Sequence, residues 1–175
     1  MSFAFVSGDP SLDLAATVLS RRGSPVDLRW LDECAALPSG IAVDPDGFAA
    51  ARSLREALYR LALDRVLGRQ FDSRALEIVT DTAATPPLTA RLTGTGVRRS
   101  GDLRAALSEV ARGGIALLAD PHATLKECGR PGCTRIYLDR SRGARRRWCG
   151  MAECGNRVKA AAYRARRRAT SGRQS

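Results

Sequence analysis

The 175-residue sequence predicts a mainly α-helical protein: a helical domain over residues 1–122 carrying one small β-hairpin, then a cysteine-pinned module over residues 123–169. Three observations predict it. Apolar residues recur at helical spacing behind repeated helix-start signals. A Thr-Gly-Thr-Gly step at residues 93–96 separates two short β-prone runs. Four of the five cysteines fall within one stretch, Cys128–Cys154.

In FAFVSGDPSLDLAATVL, an extended lead-in gives way to a helix with Asp9 as cap and Pro10 at its first position. Leu12, Ala15, Ala16 and Leu19 share a face, and Arg21 to Gly23 end it. Ser24, Pro25 and Asp27 signal a second helix that carries Trp30 and Cys34 and stops at Pro38; a buried thiol suits Cys34 there. Asp44 and Pro45 start a third, whose stripe is Phe48, Ala51, Leu54, Leu58, Leu61, Ala62 and Val66, with Arg52, Arg55, Glu56, Arg60 and Asp64 outside. Asp72 or Ser73 caps a fourth, carrying Leu76, Val79 and Ala83 until Pro86 and Pro87. A hairpin is expected over residues 88–99. A last helix runs from Asp102 with Leu103, Leu107, Val110 and Leu118 inward, weakened by Gly113 and Gly114. His122, the only histidine, reads as an idle loop residue.

The cysteines come as Cys128 with Cys133 and Cys149 with Cys154, two C-x4-C pairs fifteen residues apart. A structural Zn2+ needs four soft ligands at tetrahedral corners about 2.3 Å from the metal, so each pair must curl tightly. Gly129, Pro131 and Gly132, then Gly150 and Gly155, permit such curls. The alternatives are two disulfides, which suit an exported chain, and inert thiols. The opening residues carry no basic leader, and no apolar run of about 18 residues occurs, so a cytoplasmic, non-membrane protein is expected.

Between the pairs, Thr134–Leu138 and Arg146–Trp148 read as two strands of a hairpin, with Tyr137 and Trp148 covering the metal. After Cys154 a helix follows, capped by Asn156, with Val158, Ala161, Ala162 and Ala165 as a narrow apolar face. Knuckle, hairpin, second knuckle and helix is the order of a treble-clef zinc finger. Residues 170–175 are expected to be disordered.

Charge points to the partner. Residues 126–175 hold 15 basic and 3 acidic residues, net +12, while residues 1–125 are net −1. A basic module of this kind implies a polyanion, DNA first. Arg142, Arg145 and Arg146 on the hairpin loop and Asn156, Arg157, Lys159, Tyr163, Arg164, Arg166, Arg167 and Arg168 on the last helix are the candidate contacts. Arg130, Arg135 and Arg157 could instead neutralise the thiolates. The alternative is an RNA-binding or protein-binding module with a purely structural zinc. No catalytic motif appears and four cysteines close the metal shell, so an enzyme is not expected.

The run RWCGMAECGNRVKA, residues 147–160, resembles the CGNR zinc-finger family, named for what stands here as Cys154, Gly155, Asn156 and Arg157. The upstream C-x4-C and Asp139 and Ser141 of LDRSRG look like that family too. GDPSLDLAAT resembles the opening of the ABATE-type domain usually fused to this finger, with Leu14 and Ala16 where the family pattern LDFxNT has Phe and Asn. The resemblance implies a bacterial, stress-responsive transcription regulator whose finger binds DNA and whose metal ligands are Cys128, Cys133, Cys149 and Cys154. Signal sensing, with a small-molecule effector, or assembly of a homodimer is then the expected work of the helical domain.

Overall fold

The computed structural model describes residues 6–22, 26–27, 41 and 43–171. Among these residues helices dominate, joined by three separate two-stranded antiparallel pairs.

Helix α1 (Pro10–Ala15) begins where Asp9 accepts hydrogen bonds from the Ser11 amide (2.9 Å) and hydroxyl (2.5 Å), with Pro10 supplying a fixed φ. It is shorter than its apolar spacing suggests. Thr17 and Val18 are β-branched and favour extended backbone, and β1 (Val18–Leu19) pairs with β2 (Val26–Asp27). Ser20, at φ 56°, turns the chain between them. Val26 and Asp27 therefore belong to a strand, and the rest of the helix expected over residues 24–38, with Trp30 and Cys34, lies outside the described residues.

Helix α2 (Pro45–Val66) is the spine. Asp44 accepts from the Gly47 amide at 2.6 Å, and Ala51, Leu54, Ala57, Leu58, Leu61 and Ala62 face inward. Each fully buried leucine among them contributes about 1.5–3 kcal/mol. Two charged residues expected outside are buried: Arg55 and Asp64. Arg55 reaches Glu56 at 2.8 Å and the Thr17 hydroxyl at 3.4 Å. Asp64 accepts from Arg60 Nε at 3.3 Å and from the Asp72 amide at 3.2 Å, so it ties α2 to the turn before α3 (Ser73–Ala84). In α3, capped by Asp72, the inward residues are Ala75, Val79 and Ala83, while Leu76 is exposed.

Strands β3 (Thr89–Thr93) and β4 (Gly96–Ser100) form the expected hairpin. Helix α4 (Leu103–Ala119), capped by Asp102, runs through Gly113 and Gly114 without a break. The reason is contact, not flexibility. A Cβ on Gly114 would lie 2.5 Å from Leu58 Cδ2 and 3.3 Å from Ser11 Cβ, so a bare backbone lets three helices meet. Arg65 closes the far end of α4 by donating to the carbonyls of Leu117, Leu118, Asp120 and Ala123, groups that no helical amide can satisfy.

One apolar cluster joins Leu14 to the inner faces of α2, α3 and α4. A second runs from Leu12, Ala62 and Leu117 to Ile136 and Leu138, beyond residue 122. The C-terminal module is thus packed onto the helices and shares their core.

Candidate metal centre

Strands β5 (Leu125–Glu127) and β6 (Ile136–Leu138) pair with Lys126 opposite Tyr137, and the turn between them holds Cys128 and Cys133. The turn is built from backbone bonds, Cys128 N to Arg135 O (2.9 Å) and Cys133 N to Arg130 O (3.0 Å), with Gly132 at φ 77°. Of the second pair, Cys154 sits on a π-helical turn, Met151–Gly155, in which the Cys154 and Gly155 amides both donate to Gly150 O at 3.0 Å, and Cys149 lies just before that turn. Helix α5 (Asn156–Ser171) continues straight out of that turn. Asn156 already has helical φ and ψ, so it does not cap.

The hairpin expected between the cysteine pairs is replaced by one around the first pair: β6 pairs backward with β5, and residues 146–148 form no strand. The amides that a ladder would need are used otherwise. Asp139 Oδ2 accepts from the Arg146 amide at 3.1 Å, and Ser141 Oγ accepts from the amides of Arg145 (3.0 Å) and Arg146 (3.2 Å). Asp139 also takes bonds from Ser141 N (3.0 Å), Ser141 Oγ (2.6 Å) and Lys126 Nζ (2.8 Å). Burial pushes this carboxyl up, but the bonds from Lys126 and Ser141 outweigh it and hold it well below the usual carboxylate range.

The four sulfurs meet. All lie within 4.8 Å of one another, with Cys133–Cys149 at 4.0 Å, Cys133–Cys154 at 3.8 Å and Cys149–Cys154 at 3.4 Å. Four thiolates about 2.3 Å from a common centre stand about 3.8 Å apart at tetrahedral corners, whereas a disulfide needs about 2.05 Å. The donor set fits a metal ion. Each cysteine is buried, and Tyr137, Trp148 and Val6 pack around them. Crowding sets their acidity. The Cys128 thiol is lowered because those of Cys133 and Cys149 hydrogen-bond to it, while the same contacts push Cys133 up to about 11 and Cys149 up as well. Only a cation among them allows all four to ionise together. Arg130 supplies outer charge, its Nε donating to Cys154 Sγ at 3.1 Å. Arg157 is exposed on α5, and Arg135 is buried.

Among the other sequence-predicted residues, Arg142 and Arg145 are exposed on the loop; Asn156, Lys159, Tyr163, Arg164, Arg166, Arg167 and Arg168 are exposed along α5. Arg146 differs. Its guanidinium donates to the carbonyls of Trp148 (2.8 Å), Val6 (2.7 Å) and Cys149 and stacks 4.4 Å from the Tyr137 ring centroid, while Tyr137 Oη donates to Arg146 O at 2.7 Å. On α5 the narrow apolar face is uncovered: Val158 is half-buried, and Ala161, Ala162 and Ala165 are exposed. Sequence reasoning missed Lys126 and Val6. The lysine carried a signal, being the lone cation of a strand facing the motif's aspartate, and Val6 carried none.

In the helical half, a cleft of ≈430 Å³ lies between the starts of α2 and α4 and the end of α3, its Asp44 and Asp102 engaged in capping. Ala16, at the family's Asn position, is buried. The four cysteines are the one group with metal-ligand spacing among the described residues.

The ABATE family model, "Putative stress-induced transcription regulator", matches residues 8–121. The CGNR zinc finger model matches residues 124–167. No curated protein matches the chain. With most of the helical half under one model and the cysteine module under the other, the chain belongs to the ABATE family and carries a CGNR zinc finger at its C-terminal end.

Proposed function

We propose that this protein is a zinc-dependent DNA-binding transcription regulator that grips DNA through its C-terminal finger. The observation that carries the reading is α5. This 16-residue helix leaves the metal centre with six cations, Arg157, Lys159, Arg164, Arg166, Arg167 and Arg168, and no acidic residue. Its main packing partner among the described elements is the π-helical turn before it, and its side chains from Lys159 to Arg168 are exposed. A short helix without a packed face is marginal in water, and like charges one turn apart weaken it further. A polyanion supplies counter-charge and contact surface to this exposed, cationic helix.

A closed set of four thiolates suits zinc. Zn2+ there would supply folding energy to the segment from Cys128 to Cys154 and fix where α5 begins. Such a shell leaves no coordination position for water or substrate, so the reading is a binder, not an enzyme. The finer architecture assigned here is treble-clef-like, a knuckle on a hairpin turn followed by a second ligand pair at a helix start. Arg142 and Arg145 join α5 as phosphate contacts, and Arg146 is assigned to the scaffold of the finger because its guanidinium is already engaged.

Titration of the zinc-loaded full chain with duplex DNA over a salt series tests this. With about five phosphates engaged, log affinity falls against log salt with a slope of about −4.5. Double-stranded RNA of equal length binds more weakly, because its deep, narrow major groove excludes a helix. A slope near zero on DNA, or tighter binding to RNA, refutes the proposal.

A further inference from the structure

Among the described residues, the β3–β4 ribbon is a basic feature of the helical half that neither the core nor the finger uses. Residues 88–100 contain three arginines and no acidic residue, in a half whose net charge is −1. Both strands are exposed except for Thr93, which is half-buried. The register puts Arg91 directly opposite Arg98, Thr89 opposite Ser100 and Thr93 opposite Gly96. Because side chains alternate along a strand, these share one face, a pair of guanidiniums framed by hydroxyls. The other face carries Ala90, Leu92, Val97 and Arg99.

Which face looks outward is settled at the base of the ribbon. Arg99 pairs with Glu109 of α4, turning its own face toward that helix and the Arg91/Arg98 face away. Leu88, buried at the foot, and Gly101, where a Cβ would stand 2.8 Å from Leu88 Cδ2, clamp the ribbon to the body. Like charges directly opposite across a ladder destabilise it, and Arg91 and Arg98 form no ion pair among the described residues. Inside this chain the juxtaposition has only a cost.

We infer that the β3–β4 ribbon is a second duplex-DNA contact, in which Arg91 and Arg98 bind backbone phosphates across a groove and Thr89, Thr93 and Ser100 supply hydroxyl donors. The inference rests on the proposed function, since it extends DNA contact from the finger to the helical half. B-form DNA is the fitting polyanion. Its major groove, about 12 Å wide, admits a two-stranded ribbon as readily as a helix, whereas the A-form major groove of RNA does not. A second copy of this chain is the poorer occupant, because edge-to-edge pairing of ribbons would bring four arginines together without a counter-charge. Leu92 and Val97, 82% and 63% exposed near the tip, lie on the opposite face and take no part in the phosphate contact.

The test uses the zinc-loaded full chain, a duplex of about 20 base pairs and fluorescence anisotropy over a salt series, comparing wild type, Arg91→Ala/Arg98→Ala, Arg91→Lys/Arg98→Lys and an α5 variant, Arg164→Ala/Arg167→Ala. The alanine ribbon variant is expected to lose two phosphate contacts, flattening the slope by about 1.8 and weakening binding by tens of fold at about 0.1 M salt. The lysine variant keeps the charge and is expected to keep the wild-type slope. The α5 variant flattens the slope independently. If wild type shows no salt-dependent binding, the finger reading fails and this inference falls with it. If wild type binds and the alanine ribbon variant keeps its slope, the ribbon inference alone is overturned. A lysine variant as weak as the alanine one overturns the electrostatic assignment. Sedimentation in which Leu92→Ser/Val97→Ser converts a dimer to a monomer with the DNA slope unchanged makes the ribbon a self-association surface and overturns it too.

Discussion

Replacing Asp139 by Asn tests how the finger is held shut. The carboxylate is fully enclosed and accepts four bonds, Oδ1 from Ser141 N and Oγ and Oδ2 from Lys126 Nζ and Arg146 N. An amide of the same shape offers one accepting atom and one donating group. In its best orientation the amide oxygen faces Lys126 and Arg146, and the NH2 faces Ser141, whose hydroxyl can turn to accept but whose amide cannot. One buried amide loses its partner and the lysine loses its counter-charge. An unmet buried donor costs about 1–3 kcal/mol, and a bond to a charged group is worth about 1.5–3 kcal/mol, so a loss of about 2–4 kcal/mol is expected. The assay is urea unfolding of the zinc-loaded chain beside the rate at which a chromogenic chelator strips the metal, which should rise in the variant. The sign with pH follows from the depressed carboxyl. Its stabilisation is present above the unfolded carboxylate range, about pH 4, and disappears as pH falls through the lower folded value. Wild type should therefore lose stability on acidification more steeply than the variant. A change under about 0.5 kcal/mol with unaltered chelator kinetics would mean that the loop is held by something other than Asp139.

Other outcomes follow from the same geometry. Cys149→Ser and Cys154→Ser should each leave the zinc stoichiometry by elemental analysis well below one, because a serine hydroxyl does not replace a thiolate. Zinc binding near pH 7 should release protons, measurable as a buffer-dependent heat in calorimetry, since Cys133, at about 11, and Cys149, also raised, start protonated. Affinity for the metal should fall as pH falls. Deleting residues 159–175 should weaken duplex binding by orders of magnitude and flatten its salt slope, leaving only the loop and ribbon arginines, and should shift the melting temperature little, because the side chains from Lys159 to Arg168 are exposed. Gly114→Ala should destabilise by about 1–2 kcal/mol in urea unfolding, the overpacking against Leu58 exceeding the helix propensity gained.

Much of this architecture was legible in local signals. Asp9, Asp44, Asp72 and Asp102 each cap the helix that their position announces, because a cap is a contact within three residues. The cysteine pairs were legible for the same reason. What failed depended on distance in sequence. Arg55 and Asp64 look solvated on a helical wheel, yet partners on Thr17 and Asp72 make burial tolerable. Gly114 reads as a weak point until Leu58 and Ser11 are known to occupy the space beside it. Strand β6 has the right composition, but its partner precedes the cysteines, because Asp139 and Ser141 take the amides that a later strand would need. Arg146 is indistinguishable in sequence from Arg145 and Arg147; only the fold shows that it points inward.

The division of the chain into two family segments is not a division of its energetics. Leu138 N donates to Ser7 O at 2.8 Å, Arg146 reaches Val6 O, and Arg21 N donates to Thr134 Oγ1 at 3.2 Å, so residues 6–22 bridge both halves. Ser7 N in turn donates to Asp13 of α1, whose carboxyl is raised by burial. Ile136 and Leu138 lie beside the second metal-ligand cysteine and complete an apolar cluster that begins at Leu12, Ala62 and Leu117. A finger that melts on losing its metal must uncover these three as well, and burying them again is part of what metal binding achieves. Linkage is reciprocal. Whatever stabilises the arrangement of α1 against α2 and α4 tightens metal binding, and whatever loosens it weakens the platform from which α5 projects. The short strip at Val6 and Ser7, with no motif of its own, is where the two halves are joined most directly.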